Sequence, residues 1–338
     1  MSKPTVALIN DTSISEPHFG CTLVCQTFRE QFARTGLDLK VSLKRDFNRS
    51  DYQEILENVD LVVINGEGSI HHDKHRHLIN LAGNFPCVLM NCVYEKNSPH
   101  PELAKFLYIS ARESASMAEI HRAGGNCVTV PDVLFASSFL RSFQKPIPTE
   151  DLGKTDNVVR QYLHLGPLKI RRKAGFSTSY PTVAGYLNKL CSYRRLCIGR
   201  FHAAVASSVL EIPFATWDSN TWKTQAMMQD MGVPHLHFTT QKEALANVPR
   251  IFPEEIRKFA ADAQVKIEAS FDQIAEIARA QAVSKLYLKR AHRCESNVYQ
   301  PSSPSSGPRD LHQVGFGALW GEGRQQTLWN GRAQHASA

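Results

Sequence analysis

No apolar run in this 338-residue sequence approaches the roughly 20 residues that a membrane-spanning helix needs, so any membrane contact is expected to be peripheral. The eight cysteines, Cys21, Cys25, Cys87, Cys92, Cys127, Cys191, Cys197 and Cys294, show no paired C-x-x-C spacing. Several lie in strand-like apolar runs, and they read as reduced, buried thiols. Finger-type Cys/His spacing and an aromatic RNA-binding strand signature are also missing, which argues against nucleic acid as a partner. The run Val6-Ala7-Leu8-Ile9 reaches Asn10 and Asp11 before a secretory apolar region could be completed, so the expectation is a cytoplasmic protein. What is present is an ordinary globular composition, 42% hydrophobic and 21% charged, with length enough for two cores. The formal charge of +7 gathers in three clusters: Lys169, Arg171, Arg172 and Lys173; Lys189, Arg194, Arg195 and Arg200; and Lys289, Arg290 and Arg293. Such clusters serve as a solvated basic surface or as a cleft that attracts a small anion or an anionic glycan.

From residue 5 to about residue 130, short β-type runs alternate with amphipathic segments, the pattern of a mainly parallel sheet covered by helices. Val6 to Ile9, Leu37 to Leu43, Leu61 to Ile64, Cys87 to Met90, Tyr108 to Ser110 and Cys127 to Thr129 read as strands. Helices are expected over Cys21 to Thr35 and Ser114 to Ala123, the second stopped by Gly124-Gly125. This first lobe, residues 1–145, is Rossmann-like. Periodicity weakens from 141 to 180 and then resumes. A helix runs through Leu190, followed by strand Leu196 to Ile198, helix Phe201 to Leu210, strand Phe214 to Thr216 and helix Trp222 to Met231. A second, smaller α/β lobe over 146–293 follows from this, closed by amphipathic helices between Pro253 and about Lys289. Residues 294–338 mix Ser, Pro, Gly and Gln with isolated Trp320 and Trp329 and are expected to form a disordered tail.

The sharpest chemical signal is Gly199-Arg200-Phe201-His202, placed after a buried strand and at the start of a helix. Backbone N–H groups and the helix dipole favour an anion there, and Arg200 and His202 add a fixed charge and a titratable proton donor. The alternative, an Arg200 that pairs with a carboxylate and a His202 with ordinary hydrogen bonds, stays open. Arg112 also follows a strand and precedes a helix, where ligands of open parallel sheets gather, or where an arginine simply caps the helix or pairs with Glu113. Asn65-Gly66-Glu67-Gly68-Ser69 is a glycine turn after a strand that lacks the full spacing of a P-loop or a dinucleotide fingerprint. His71, His72, Asp73, His75 and His77 crowd one loop without the helical i, i+4 geometry of zinc proteases, so no metal site is expected there. Asp11-Thr12-Ser13 and His18-Phe19-Gly20 form a further loop on the same rim, read as a helix cap or as a sugar contact.

Taken together, Asp11-Thr12-Ser13, Phe19-Gly20-Cys21, Asn65 to Ser69, Arg112 with Ser116, Gly199 to His202 and Ser219-Asn220-Thr221-Trp222-Lys223 resemble the polysaccharide pyruvyl transferase family. The resemblance implies two Rossmann-like lobes facing a cleft, as in GT-B glycosyltransferases. It also implies transfer of a pyruvyl group from phosphoenolpyruvate to hydroxyls of a glycan or glycan precursor, with formation of a ketal, as in exopolysaccharide or capsule biosynthesis. By the same resemblance Arg112, Arg200, Phe201 and His202 would hold phosphoenolpyruvate, with His202 as acid or base and no cofactor beyond that donor. Asp11, Ser13, Gly66, Glu67, Gly68, Ser69, His71, Asn220 and Lys223 would be acceptor or cleft contacts. The stretch from Leu140 to Tyr180 is shorter than the family's, and the tail has no counterpart. A GT-B-type glycosyltransferase using a nucleotide sugar and a non-catalytic glycan-binding homologue are the competing expectations.

Overall fold

The computed structural model describes residues 3–15, 18–68, 70–157, 162–165, 168–171, 176–177 and 180–298. From the N-terminus the chain forms β1 (Thr5–Ile9), α1 (Thr12–Ser15), α2 (Phe19–Thr35), β2 (Asp38–Leu43), α3 (Arg49–Asn58), β3 (Leu61–Asn65) and β4 (Ile70–His71). It continues through α4 (Arg76–Ile79), β5 (Cys87–Cys92), β6 (Tyr94–Glu95), β7 (Tyr108–Ala111), α5 (Ser114–Arg122), β8 (Val128–Thr129) and α6 (Ser138–Arg141). Strands β2-β1-β3-β5-β7-β8 make a six-stranded sheet in that order, with every neighbouring pair parallel. The continuous apolar runs of β3 and β5 are buried along their whole length because both faces of a parallel sheet are covered. At the edge, β2 alternates polar and apolar residues and stays half-exposed. The chain leaves β1 for β2 on one side and crosses to β3 on the other. The switch in strand order therefore lies at the carboxyl ends of β1 and β3, where a crevice opens.

The second part comprises β9 (Glu150–Asn157), β10 (Tyr162–Leu165), β11 (Leu168–Arg171), α7 (Val183–Cys191), β12 (Tyr193–Gly199) and α8 (Phe201–Val209). It ends with β13 (Phe214–Trp217), α9 (Lys223–Asp230), β14 (His237–Phe238), α10 (Gln241–Ala246) and α11 (Glu254–Val298). Strands β14-β13-β12-β9 form a four-stranded parallel sheet. Weak periodicity over 141–180 conceals β9, whose outer residues Glu150, Asp151 and Lys154 are exposed and carry no apolar alternation. The closing helices expected after Pro253 are one helix of 45 residues. Its buried Ile256, Ala260, Ala263, Ile267, Phe271, Ile274 and Ala278 recur at three- and four-residue spacing and form one stripe.

Both sheets share a core. Val6 and Leu8 of β1, Leu196 and Ile198 of β12 and the apolar stripe of α11 belong to a single buried cluster. Phe271 meets the rings of Phe28 and Phe32 edge-on at 5.5 and 5.8 Å, and Phe19 of α2 stacks on Tyr186 of α7 at 3.8 Å. The chain divides into a unit ending at His292 and another beginning at Arg293. The expected boundary near 145 is thus a link between two sheets of one unit. Helix α11 extends to Val298, into the segment expected as tail, and residues 299–338 lie outside those described. Among the described residues no helix is long and apolar enough to cross a membrane.

Candidate functional site

Loops from the carboxyl ends of both sheets line one cavity of about 200 Å3. The first sheet contributes Thr12, His18, Phe19 and Cys21 after β1, Glu67 and Gly68 after β3, and Arg112 after β7. The second contributes Arg200, Phe201 and His202 after β12, with Ser219, Asn220 and Lys223 after β13. Helix α8 begins with Arg200 at its cap and α9 with Trp222, and neither cap position supplies a side-chain hydrogen bond. Phe201 and His202 open α8 and Lys223 opens α9. Two helix N-termini that lack a side-chain cap hydrogen bond therefore sit at the cavity wall, an arrangement that favours negative charge.

Arg112 is buried, and its Nη1 donates to Asp132 Oδ2 at 2.7 Å while the guanidinium lies 4.6 Å from the centre of the Phe201 ring. Its Nε is buried without a partner among the described residues. Burial alone would raise the Asp132 carboxyl, but His202 and the Arg112 charge outweigh it and hold Asp132 well below the usual carboxylate range. Arg200 grips Asp156 with two parallel bonds, Nε to Oδ1 at 2.9 Å and Nη2 to Oδ2 at 2.8 Å. His202 Nε2 stands 3.4 Å from Glu67 Oε1 and 3.7 Å from Asp132 Oδ2 and completes a hydrogen bond with neither. The imidazole packs directly over Gly20, where a Cβ would come within 2.4 Å of His202 Nδ1. Any larger residue at position 20 would displace the ring.

Lys223 has no hydrogen-bond or ion-pair partner among the described residues. Burial and the charges of Arg112 and Arg200 push it down to about 8, opposed by Glu67. Its turn is pinned by β6 and by the cap of α5: Glu95 Oε2 accepts from Trp222 N at 3.2 Å, and Glu113 Oε1 accepts from Trp222 Nε1 at 3.1 Å. Burial pushes the Glu113 carboxyl up to about 7, against Ser116, Arg112 and Trp222. At the far end of α9, Asp230 accepts from Ser114 N and Oγ at 2.9 and 2.6 Å. Opposite Lys223, Glu67 is buried and accepts from Thr12 Oγ1 and from Cys21 Sγ at 3.2 Å.

Of the residues singled out in the sequence, Glu67, Gly68, Arg112, Arg200, Phe201, His202, Asn220 and Lys223 meet at this cavity. Phe201 contributes its ring, which lies against the Arg112 guanidinium. Asp11, Ser13, Gly66 and His71 do not line it. Asp11 is fully buried against Arg29, Ser13 and Ser42 and ties β1 to α2 and β2. Ser13 spends its hydroxyl on Asp11. Gly66 is needed for packing, since a Cβ there would lie 2.6 Å from Cys92 Cα. His71 contacts His72 through their Nδ1 atoms at 2.9 Å. Burial and Lys74 push it down to about 4. In the same loop Asp73 serves Ser98 and Arg76. Ser69 lies outside the described residues. The carboxylates Asp132 and Asp156 were not singled out in the sequence, and Glu113, named there as a partner for Arg112, accepts from Ser116 and Trp222 while Arg112 pairs with Asp132. Asp132 carries a faint signal as the cap of a turn after Pro131, and Asp156 sits in polar β9 with no local signal.

No family model matches the chain. No curated protein matches it. Among solved structures, it is similar to an uncharacterised protein of Klebsiella pneumoniae at 16% identity, over 71% of this chain and 93% of that one, with a TM-score of 0.45. UDP-GlcNAc 2-epimerase of Methanocaldococcus jannaschii is similar at 9% identity over 82% and 99% of the two chains, with a TM-score of 0.45. A transcription regulator of Lactococcus lactis reaches 11% identity over 80% and 91%, with a TM-score of 0.25. These likenesses are too distant to bear on the chemistry of the cavity.

Proposed function

We propose that the chain is a phosphoenolpyruvate-dependent pyruvyl transferase acting on a glycan or glycan precursor, with two lobes facing a cleft in the GT-B manner. The observation that carries this reading is the convergence of Arg112, Arg200, His202 and Lys223 from two different sheets on one small cavity with two open helix N-termini. Phosphoenolpyruvate bears a carboxylate and a phosphate, so cations arriving from separate sides can hold both ends. Asp132 and Asp156 fix the two guanidinium groups before a ligand arrives, and Lys223 is the cation left without a counter-ion among the described residues. Preset donors of this kind cost little reorganisation when charge develops.

Ketal formation adds a proton to the methylene carbon, opens the central carbon to a sugar hydroxyl, and expels phosphate as a second hydroxyl attacks. His202 Nε2 is the group without a completed hydrogen bond that faces Glu67 and Asp132, and it serves one of these proton transfers. The experiment is to incubate purified protein with phosphoenolpyruvate and a panel of hexose and hexosamine acceptors, and to follow phosphate release and product mass. His202→Gln is expected to keep the fold and calorimetric phosphoenolpyruvate binding and to lose transfer by about 100-fold or more. Transfer near the wild-type rate by that variant removes His202 from the mechanism. A protein that binds a nucleoside diphosphate and ignores phosphoenolpyruvate is instead a nucleotide-sugar enzyme.

A further inference from the structure

Beside the cations, the cavity wall carries a thiol held between an imidazole and a carboxylate. Cys21 sits in the first turn of the 17-residue helix α2, whose cap is His18. Its Sγ is 3.0 Å from His18 Nε2 and 3.2 Å from Glu67 Oε1, and all three residues line the cavity. The proton positions follow from the contacts. The backbone N–H of Cys21 donates to His18 Nδ1 at 3.4 Å, so Nδ1 is bare and the neutral ring carries its proton on Nε2. Burial and the His202 charge push His18 down to about 4, which keeps the ring neutral near pH 7. Nε2–H therefore donates to Sγ, and the thiol proton points to Glu67. On ionisation the thiol hands its proton to Glu67, and the thiolate left behind is held by the His18 N–H and by the N-terminus of α2.

We propose that Cys21 is a nucleophilic site of this cavity, which takes small anionic electrophiles. In the step a sulfur–carbon bond forms at the electrophilic carbon and the thiol proton passes to Glu67 Oε1. The displaced electron pair leaves with a halide or, in an unsaturated acid, is protonated on the adjacent carbon. Arg112, Arg200 and Lys223 draw the anionic end of such a molecule to the wall that bears the thiol. Cys25 is one turn further along α2 and supplies the internal contrast. Both thiols are buried, but Cys25 does not line the cavity: its Sγ contacts Thr12 Oγ1 at 3.5 Å, and burial pushes it up to about 12.

The test is peptide mapping by mass spectrometry after the full chain is treated with iodoacetate or with iodoacetamide, with glutathione as the reference thiol. Cys21 is expected to be labelled while Cys25 is not. The iodoacetate-to-iodoacetamide rate ratio at Cys21 should exceed that of glutathione by about tenfold, and Lys223→Met should lower it toward glutathione. An unlabelled Cys21 in protein with a native circular dichroism spectrum overturns the proposal, as does labelling with no preference for the anion. The site does not depend on the pyruvyl transferase reading. Phosphoenolpyruvate binding measured by calorimetry on untreated protein separates the two. Binding with an inert Cys21 sinks this inference and leaves the transferase. Anion-selective labelling without binding upholds the thiol site and counts against the transferase.

Discussion

Lys223 illustrates how a cation lining a cavity works against the stability of the chain that carries it. Its folded pKa of about 8 lies below the ordinary 10.5, so between those values the unfolded chain binds more protons than the folded one. The charge is a burden at pH 7, and the burden fades as pH rises through 8 toward 10.5. Lys223→Met is therefore expected to make the unliganded protein more stable at pH 7 by about 1 kcal/mol, a figure reduced for the partial exposure of the side chain. The gain should shrink toward pH 10.5, and phosphoenolpyruvate affinity should fall by about tenfold. Urea unfolding at pH 7 and pH 10 reads the first effect and calorimetry the second. A variant whose stability follows wild type in parallel across that range would show that the amine is not burdened. The arginines of the cavity each carry a counter-ion instead, Asp132 at Arg112 and Asp156 at Arg200. Such counter-ions could not be read from the sequence. Asp132 follows Arg112 by twenty positions and Asp156 precedes Arg200 by forty-four, and neither has a local pattern that names its partner.

Among the elements, the apolar ones were legible and the polar ones were not. Leu61 to Ile64 and Cys87 to Met90 announce buried central strands because covering both faces of a parallel sheet demands unbroken apolar runs. Strand β9 escaped because its exposed positions hold Glu150, Asp151 and Lys154 and its pairing with β12 is tertiary. The cavity-lining step after β12 was legible for the same reason as the strand before it, since Leu196-Cys197-Ile198 is apolar and the polar residues that follow must lie at its end. In α11 the stripe was visible, and no glycine or proline interrupts the segment, which runs as one helix rather than several. The helix covers the core shared by both sheets, so one buried ring should matter more than its many exposed neighbours. Phe271→Ala is expected to cost about 3–5 kcal/mol, and Val265→Ala, at a site 67% exposed, no more than about 0.5 kcal/mol by urea denaturation. Equal small losses at both positions would mean that α11 is not seated on Phe28 and Phe32 in solution.

At the scale of the unit that ends at His292, the cavity and the core make opposite demands. The cavity-lining residues come from both sheets, which would suit two bodies that close on a substrate. Yet Val6, Ile198, Phe201 and Phe271 belong to one buried cluster, and α9 is pinned to α5 through Trp222 and Asp230. Continuous apolar packing couples the sheets more firmly than polar rim contacts would, so they should unfold together. Scanning calorimetry of the protein is expected to give one transition for this unit. A ligand held by both sheets then stabilises the unit as a whole, by about 2.7 kcal/mol at a concentration of 100 times Kd, and raises Tm by several degrees. Phosphoenolpyruvate should produce that rise while the transition stays single, and added salt should reduce it because the cavity binds by charge. Two separated transitions, with only one responding to the ligand, would mean that the sheets are independent and that the anion touches one of them.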